Sequence, residues 1–445
     1  MKHLVFLALA IFCLLIDGVS LELYANHDLI CIDKQSIEKS RMLALDSVKH
    51  LLQSDFVTIH ETDVELYAVM DRNLSSFMNA ICGDNANITI VLQDYNKVLK
   101  NERSEIALKN LEVGLVDLHI PRSFQKAIVE TPNCNGPRPT ELITRQRIGT
   151  DIYRSSILDM SKPYLLSEYT IVTRLQATPK LDTSFGFKGK FFGVTFSLLH
   201  AREWLTGATV NYVAAMIIEG LAGNATDPLV DMYTLLKLVE DGQIELLIIP
   251  ICNPDGYEYS WTQNRLWRKN RSQHGNGVDL NRNFNSKWGV SGDSSNPVSD
   301  VYSGPHACSE IETQALEQLF VSKADNIVIA FDFHTFSQLI LWPWSYDTSS
   351  MHPNEQAHQK VATILSSRGH AYKSMQSAAM YASSGAASDF YAKNNIVSLT
   401  VELPPKFAGN SGFSMPIHMI ADVGLDWTLK ISAWVDAEFG NKPIC

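Results

Sequence analysis

Four short, densely apolar runs separated by longer helical patterns are the feature that most restricts the fold of this chain. The runs cover residues 191–199, 244–251, 327–333 and 397–403. Runs of this length and density are typical of strands buried on both faces of a sheet. Amphipathic stretches lie between them, the first over residues 210–221. This alternation predicts an α/β fold in which helices cover both faces of a mixed, largely parallel sheet.

The first residues of the chain predict export from the cell. Lys2 and His3 precede an apolar run over residues 4–16, and small residues follow as far as Ser20. This order is typical of a secretory signal peptide, which we place at residues 1–20. The run is shorter than the roughly 20 residues that a membrane-spanning helix needs. We therefore expect a secreted protein that does not associate with a membrane.

Cysteines and glycosylation sequons agree with a secreted chain. Six cysteines remain after residue 20, which predicts disulfides whose pairing the sequence leaves open. They are Cys31, Cys82, Cys134, Cys252, Cys308 and Cys445. Four Asn-x-Ser/Thr sequons are candidate N-glycan acceptors. They begin at Asn73, Asn87, Asn224 and Asn270.

Changes in composition and in the pattern of apolar residues divide the remainder of the chain into three parts. Residues 21–130 alternate short apolar runs with polar helical segments and predict a small α+β unit. Residues 131–163 are polar and contain several arginines and prolines, which favours a solvated connector, with a proteolytic cleavage zone as the alternative. Residues 164–445 contain the predicted sheet.

The overall charge argues against one class of partner. The 445 residues include 37 Lys and Arg against 48 Asp and Glu, with a formal net charge of −11. A chain of this balance offers no basic footprint for nucleic acid. Apolar residues make up 45%, which suffices for a packed core and excludes wholesale disorder.

Ionisable side chains stand at the ends of the predicted strands. His200 and Glu203 follow the first run, His334 follows the third, and Glu402 lies near the end of the fourth. In open α/β sheets the active site lies at the carboxyl ends of the strands. Because an unpaired buried carboxylate is costly, packing alone does not explain this set. The pattern predicts an active site at this edge of the sheet.

Two histidines and one carboxylate are a ligand set of catalytic zinc sites, which keep one position open for water. His200 and Glu203 are three residues apart, so a short turn can aim both at the point that His334 reaches. The same set also holds non-haem Fe(II) in oxygenases. The spacing leaves both metals open.

Basic residues after the second run favour zinc. Arg268 and Arg271 are followed by the pair Asn281-Arg282. A guanidinium is a planar fork that binds a carboxylate through two hydrogen bonds, although an ordinary solvated loop could also contain such residues. A metal site beside a carboxylate clamp predicts a peptidase that recognises a free C-terminus.

These motifs resemble those of the secreted zinc metallocarboxypeptidases of the funnelin type, peptidase family M14, in particular the A/B pancreatic-type subfamily. The resemblance runs from about residue 164 to the C-terminus, and residues 21–130 are more loosely similar to the propeptide of these enzymes. The matching segments are His200-Ala-Arg-Glu203, Asn253-Pro-Asp-Gly, Arg268-Lys-Asn-Arg271, Asp279-Leu-Asn-Arg282, Phe333-His334, Met380-Tyr381 and Thr400-Val-Glu402. The resemblance implies an eight-stranded sheet, a zymogen whose propeptide binds in cis, and cleavage within residues 131–163.

The resemblance also implies a role for each matching residue. One Zn²⁺ would bind to His200, Glu203 and His334, while Glu402 would be the general base and Arg271 would stabilise the oxyanion. The substrates would be the C-termini of peptides and proteins. Their binding residues would be Arg202, Asn281, Arg282, Tyr381, Ser388 and Asp332.

The resemblance places Ser388 at the base of the pocket for the C-terminal side chain and Asp332 at one of its walls. Serine is neither an apolar floor nor a carboxylate that would attract Lys or Arg. Asp332 would attract a cation unless it pairs with another group. A neutral floor between mostly apolar walls favours uncharged, aliphatic or aromatic C-terminal residues.

One departure from the family pattern precedes the zinc motif. Residues 165–178 predict a helix, and the following residues up to His200 leave the sheet about one to two strands short. This departure keeps open a catalytically impaired, secreted binding protein on the same fold. An Fe(II) enzyme is the other alternative, but it would have no use for the Asn281-Arg282 clamp.

Overall fold

The computed structural model describes most of the chain beyond residue 190 and parts of the chain before it. The described residues are 24, 26–37, 41–42, 45–46, 56–61, 65–83, 86–101, 129–130, 143–148, 151–156, 172–175, 190–221, 231–241, 243–272, 276–323, 327–408, 412–416 and 419–440. The predicted signal peptide, Cys134 and Cys445 lie outside them.

The chain divides into two compact units. The first comprises residues 1–115, 258–267 and 405–417. The second comprises residues 116–257, 268–404 and 418–445.

The first unit contains an antiparallel four-stranded sheet with the strand order β2-β3-β1-β4. Its elements are β1 (His27–Asp33), β2 (Phe56–Glu61), β3 (Glu65–Asp71), α1 (Ser75–Cys82) and β4 (Ile88–Leu92). Ile30 and Ile32 of β1 are the register partners of Ala68 and Leu66 of β3. These four side chains and Met78 of α1 belong to one buried cluster. The described residues of this unit therefore have the predicted α+β character.

The second unit is built around an eight-stranded sheet with the order β13-β12-β14-β11-β9-β10-β8-β5. Its strands are β5 (Val129–Glu130), β8 (Val172–Leu175), β9 (Lys190–Ser197), β10 (Ile244–Ile249), β11 (Ile329–Thr335), β12 (Leu339–Trp342), β13 (Lys373–Gln376) and β14 (Val397–Leu403). The strands β6 (Ile143–Ile148) and β7 (Asp151–Ser156) lie outside this sheet. The four central strands are parallel, as are β12 and β13, and the other neighbours are antiparallel. The predicted mixed, largely parallel sheet is confirmed.

Helices cover both faces of this sheet. They are α2 (Trp204–Leu221), α3 (Tyr233–Glu240), α5 (Ile311–Lys323), α6 (Glu355–Ser366), α7 (Ala387–Lys393) and α8 (Met419–Phe439). The chain also forms α4 (Pro254–Thr262), of which residues 258–262 belong to the first unit. On one face, the rings of Phe333 and Trp427 of α8 meet edge-on with centroids 4.8 Å apart. On the other face, Phe196 and Tyr391 of α7 meet in the same way at 5.2 Å.

The alternation of side chains along β11 brings ionisable groups into the interior. Asp332 is the register partner of Phe196, so Asp332 and, two residues on, His334 lie on the face covered by α7. All residues of β11 are buried. Because buried charged groups are costly without partners, both side chains require neighbours that satisfy them.

The helix predicted over residues 165–178 is wrong for the part that the structure describes. Residues 172–175 form β8, which pairs antiparallel with β10. The β-branched residues Val172 and Thr173 suit a strand, and pairing satisfies the backbone along the outer edge of β10. β5 pairs in turn with β8, so the described sheet reaches eight strands rather than falling short.

The predicted connector contains paired backbone. β6 and β7 form a separate two-stranded sheet in which Arg145 and Arg154 are register partners. The described part of residues 131–163 is therefore a pair of antiparallel strands.

The expected disulfides are absent among the described residues, where Cys31, Cys82, Cys252 and Cys308 are free thiols. Complete burial raises the pKa of Cys252 well above its ordinary value, so this thiol is a core residue rather than a reactive one. Within the described ranges, no helix has the length and apolar character needed to cross a bilayer.

A buried imidazole on α6 should make the stability of the second unit depend on pH. His358 is 1% exposed, and its Nδ1 donates to the carbonyl oxygen of Asn354 at 3.0 Å. The ring of His352 lies 4.7 Å away, and Glu355 is the nearby acidic group. Burial lowers the pKa of His358 from 6.5 to about 4.

The folded chain thus keeps His358 neutral in a range where the unfolded chain binds a proton. Ionisation of His358 therefore does not affect the free energy of unfolding above pH 6.5. As the pH falls towards 4, protonation of the unfolded chain lowers this free energy by up to about 3 kcal/mol. Urea unfolding between pH 4 and 7 should show a smaller pH dependence for His358→Asn than for the wild type. Equal pH slopes would contradict this assignment.

Candidate active site

The predicted site residues converge because three neighbouring parallel strands end at one edge of the sheet. His200 follows β9, and Glu203 directly precedes α2. His334 lies on β11, where its register partner on β14 is Glu402. The strand-end positions named from the sequence therefore meet at one place.

The three predicted metal ligands form a compact cluster. Nδ1 of His200 lies 2.8 Å from Oε1 of Glu203, and Nδ1 of His334 lies 3.0 Å from Oε2 of the same carboxylate. The two Nδ1 atoms are 3.1 Å apart. One ligand atom from each residue lies within 4.8 Å of the others, and all three residues are buried.

A carboxylate lies close to the opposite nitrogen of each imidazole. Nε2 of His200 lies 3.1 Å from Oδ1 of Asp279, and Nε2 of His334 lies 3.0 Å from Oδ2 of Asp332. Such carboxylate–histidine pairs fix the tautomer and orientation of metal-binding imidazoles. Both Nδ1 atoms are thereby left to face Glu203. The donor set fits one zinc ion.

Electrostatics in the cluster favour a cation. Burial opposes ionisation of Glu203, but the two imidazoles outweigh it and hold the pKa of Glu203 below its ordinary value. Burial would lower the pKa of His334, but Asp332 and Glu203 raise it well above the ordinary value. The carboxylates of Asp332 and Glu203 thus favour positive charge at His334, which a divalent ion can supply in place of a proton.

Glu402 differs from Glu203 although both carboxyl groups belong to the same site. Burial raises the pKa of Glu402 to about 8. Its Oε2 atom has no hydrogen-bond partner among the described residues. Two carboxyl groups with pKa values moved in opposite directions are typical of separate catalytic roles.

Arg268 and Asp279, which were not among the predicted site residues, complete the surroundings of His200. Arg268 donates from Nη2 and Nε to Oδ2 of Asp279 at 2.8 and 3.1 Å, and its Nη1 lies 3.2 Å from Nδ1 of His200. Both residues belong to segments that resemble family motifs, and this resemblance could have indicated them from the sequence. Their pairing across 11 positions could not be read from the sequence.

The predicted clamp residues lie on the short turn Leu280–Arg282. Asp279 caps this turn by accepting the N–H of Asn281. The Asn281 amide nitrogen is 3.2 Å from Nε2 of His334, and its oxygen accepts the N–H of Ala387 at 2.9 Å. Arg282 donates from Nη1 to the carbonyl oxygen of Asn281 at 2.9 Å.

The remaining predicted substrate residues differ in their exposure and in their contacts. Tyr381 is 39% exposed, and its ring centroid is 5.8 Å from the Arg282 guanidinium carbon. Arg271 is exposed, whereas Arg202 is buried and its Nη1 is 3.8 Å from a carboxylate oxygen of Asp300. Ser388 is buried on α7.

Asp332, predicted at a wall of the side-chain pocket, is 1% exposed and lies against the outer nitrogen of His334. This placement favours support of a metal ligand over contact with a substrate.

Comparison with known proteins places this architecture in a family. Residues 196–428, which are more than half of the chain, match the zinc carboxypeptidase family, Peptidase M14. The chain therefore belongs to the zinc carboxypeptidase family.

Individual relatives agree with this assignment. Carboxypeptidase O of Homo sapiens is 37% identical over 228 residues, 49% of this chain and 58% of that protein. Carboxypeptidase B of Astacus astacus is 32% identical over 237 residues, 51% of this chain and 74% of that protein. The chain thus spans little more than half the length of the first relative. The crystal structure of thrombin activatable fibrinolysis inhibitor shares the fold, with a TM-score of 0.68 at 19% identity over 94% of this chain and 100% of that one.

The contact between Asp332 and His334 predicts a measurable effect on the metal. Asp332→Asn should weaken zinc binding by about 10–100-fold, because the amide orients the imidazole less well and lowers its basicity. Competition with a chelator measures this change. Asp426→Asn on α8, also buried, should leave zinc affinity unchanged. Wild-type zinc affinity in Asp332→Asn would contradict the supporting role.

Proposed function

We propose that this protein is a secreted, zinc-dependent exopeptidase that removes the C-terminal residue of peptides and proteins. One observation carries the proposal: the cluster of His200, Glu203 and His334 adjoins both Glu402 and Asn281. A metal site, a general base and a carboxylate-binding turn are together what hydrolysis of a C-terminal peptide bond requires.

Catalysis in this proposal divides the work among groups of the chain. His200, Glu203 and His334 would hold one zinc ion, which would supply Lewis acidity for the scissile carbonyl and the attacking water. Glu402 takes the proton of that water and passes it to the leaving amine, since its raised pKa suits both transfers. Arg271 stabilises the negative charge that develops on the carbonyl oxygen.

Substrate binding in this proposal uses the clamp turn. Arg282 offers its planar guanidinium to the terminal carboxylate, and Asn281 adds its amide N–H. Tyr381 closes over the bound terminus, as its exposure and its place over Arg282 allow. Arg202 assists docking further along the peptide.

Exchanging the proposed general base gives a direct test. Glu402→Gln should lower kcat by about 10²–10⁴-fold because the amide cannot accept the proton. Bound zinc, measured by elemental mass spectrometry, should remain at the wild-type level. His334→Ala, which removes a ligand, should lose the metal instead. Near-wild-type turnover by Glu402→Gln would exclude this mechanism.

We propose a preference for uncharged, aliphatic or aromatic C-terminal residues. Ser388 is neutral, Leu341 is buried and apolar, and the Asp332 carboxylate lies 3.0 Å from Nε2 of His334. A basic side chain would then lack an ion-pair partner at the pocket base, and desolvating it would be costly.

Peptides that differ only in a terminal Phe, Leu, Lys or Glu test this preference. We expect the highest kcat/KM for Phe and Leu. A tenfold or greater preference for Lys that disappears in Asp332→Asn would reverse the conclusion and make Asp332 the specificity residue.

We further propose that residues 21–130 are a propeptide that inhibits the enzyme in cis until a trypsin-like protease cuts within residues 131–163. This rests on the sequence resemblance and on the arginines of that segment. Release of C-terminal amino acids should rise after limited trypsin treatment. Equal activity before and after cleavage would leave an appended domain without an inhibitory role.

Measurements of activity and of bound metal also distinguish the proposed enzyme from two alternatives, a catalytically impaired binding protein and an Fe(II) enzyme. A catalytically impaired binding protein would have lost a ligand or the base, whereas all four residues are present. An Fe(II) enzyme would purify with iron rather than zinc.

A further inference from the structure

The segment that carries Tyr381 changes abruptly from exposed to buried. Tyr381 is 39% exposed and Ala382 is also exposed, whereas Ser383 and Ser384 are 5% and 0% exposed. The tyrosine therefore projects from a backbone that is embedded in the protein a few residues further on. Because the proposed function uses this tyrosine to close over the bound terminus, the groups that hold Ser384 determine where the ring can lie.

The hydroxyl of Ser384 joins this segment to the neighbouring loop over residues 290–293. Its Oγ accepts the backbone N–H of Val290 at 3.1 Å and that of Ser291 at 3.2 Å, and it lies 3.4 Å from Oδ1 of Asp293. The backbone N–H of Ser384 donates to the carbonyl oxygen of Ser291 at 2.8 Å. A single buried serine therefore connects the tyrosine segment to this loop through its backbone and its side chain.

The same loop holds the guanidinium of Arg282. Nε of Arg282 donates to the carbonyl oxygen of Gly292 at 3.0 Å, and Gly292 directly follows Ser291. Gly292 has a φ of +62°, and a Cβ atom there would collide with the carbonyl oxygen of Ala382. The loop is therefore in close contact with both the tyrosine segment and the proposed carboxylate clamp.

These contacts form a closed circuit that includes Tyr381 and Arg282. The ring centroid of Tyr381 is 5.8 Å from the guanidinium carbon of Arg282, within the range of a cation–π contact. From the tyrosine, the circuit follows the backbone to Ser384 and crosses hydrogen bonds to Ser291. It then continues through Gly292 to the guanidinium and back to the ring. The position of the ring over the guanidinium thus depends on the hydrogen bonds of Ser384.

Arg282 is connected to the predicted metal ligands through its neighbours. Its Nη1 is 4.0 Å from Oδ2 of Asp279, whose other oxygen lies 3.1 Å from Nε2 of His200. The preceding residue, Asn281, has its amide nitrogen 3.2 Å from Nε2 of His334. The circuit that holds the tyrosine therefore adjoins the reacting centre of the proposed enzyme.

We infer that Ser384 is a positioning residue that holds Tyr381 over Arg282 and thereby strengthens binding of the substrate's terminal carboxylate. This inference rests on the proposed function. Ser384 is completely buried, so it acts through the tyrosine rather than by contact with the substrate. A ring that is already ordered over the guanidinium loses less conformational freedom when the substrate binds, which raises affinity.

A double-mutant cycle with a carboxylate probe tests this inference. Hydrocinnamate has a carboxylate and an aromatic ring, which match the proposed clamp and the proposed side-chain preference. Ser384→Ala should raise its inhibition constant, and KM for peptides, by about tenfold, on the scale of one lost hydrogen bond, with kcat little changed. In the Tyr381→Ala background, Ser384→Ala should have almost no further effect, because the residue acts through the ring. Inhibition by hydrocinnamamide, which lacks the negative charge, should be weak and equal in the wild type and Ser384→Ala.

Two further variants separate positioning from general stability. Thr428→Val on α8 removes another buried, hydrogen-bonded hydroxyl and should leave the inhibition constant of hydrocinnamate unchanged. Gly292→Ala presses on the tyrosine segment from the neighbouring loop and leaves the buried serine in place. It should also raise the inhibition constant, but only when Tyr381 is present. This second variant tests the inference even if Ser384→Ala fails to fold.

Hydrogen exchange tests the attachment of the segment without relying on activity. The amides of Val290 and Ser291 should exchange faster in Ser384→Ala than in the wild type, while amides of the central strands keep their rates. Unchanged exchange, or an equal rise of the inhibition constant in both Tyr381 backgrounds, would overturn the inference. A wild type that neither releases C-terminal amino acids nor binds hydrocinnamate would instead count against the proposed function, and faster exchange in the variant would then support only the attachment of the segment.

Discussion

The buried carboxylate of Asp279 is the interaction on which the rest of the site depends. One oxygen lies 3.1 Å from Nε2 of His200 and accepts the N–H of Asn281, and the other accepts two hydrogen bonds from Arg268. Burial works against its charge, but Arg268 and His200 hold its pKa well below the ordinary value. One ion therefore connects the metal ligand, the basic segment and the turn proposed to bind the substrate terminus. Removing it would leave an arginine buried without its partner, which is strongly destabilising.

The carboxyl groups of Glu203 and Glu402 belong to the same site but have different electrostatic environments. Glu203 faces two imidazoles and has a lowered pKa, whereas Glu402 has a raised one because burial dominates there. The parallel register of β11 and β14 sets His334 beside Glu402, so the contrast follows from backbone pairing. One residue type thus supplies both a carboxylate that stays ionised and a carboxyl group that can hold a proton.

Local patterns were sufficient to predict the central strands and the metal ligands. The runs ending near His200, His334 and Glu402 are dense enough to indicate buried strands, and strand ends in such sheets meet at one edge. The contacts of Asp279 with His200 and Arg268 could not be predicted, because they join residues on separate elements through packing. β8 was missed because residues 172–175 are short and take their conformation from pairing with β10. The predicted disulfides rested on composition, which carries no information on distance.

The buried amide of Asn270 has a consequence for how the chain is made. Its sequon, Asn270-Arg-Ser, is readable by an oligosaccharyltransferase while the chain is still unfolded. A sugar attached there has no room once the side chain is 1% exposed against Glu310 and Glu312. In a glycosylating secretory pathway, folding of this segment and glycan transfer therefore compete for the same nitrogen. The yield of native protein then depends on the relative rates of the two processes as well as on thermodynamic stability.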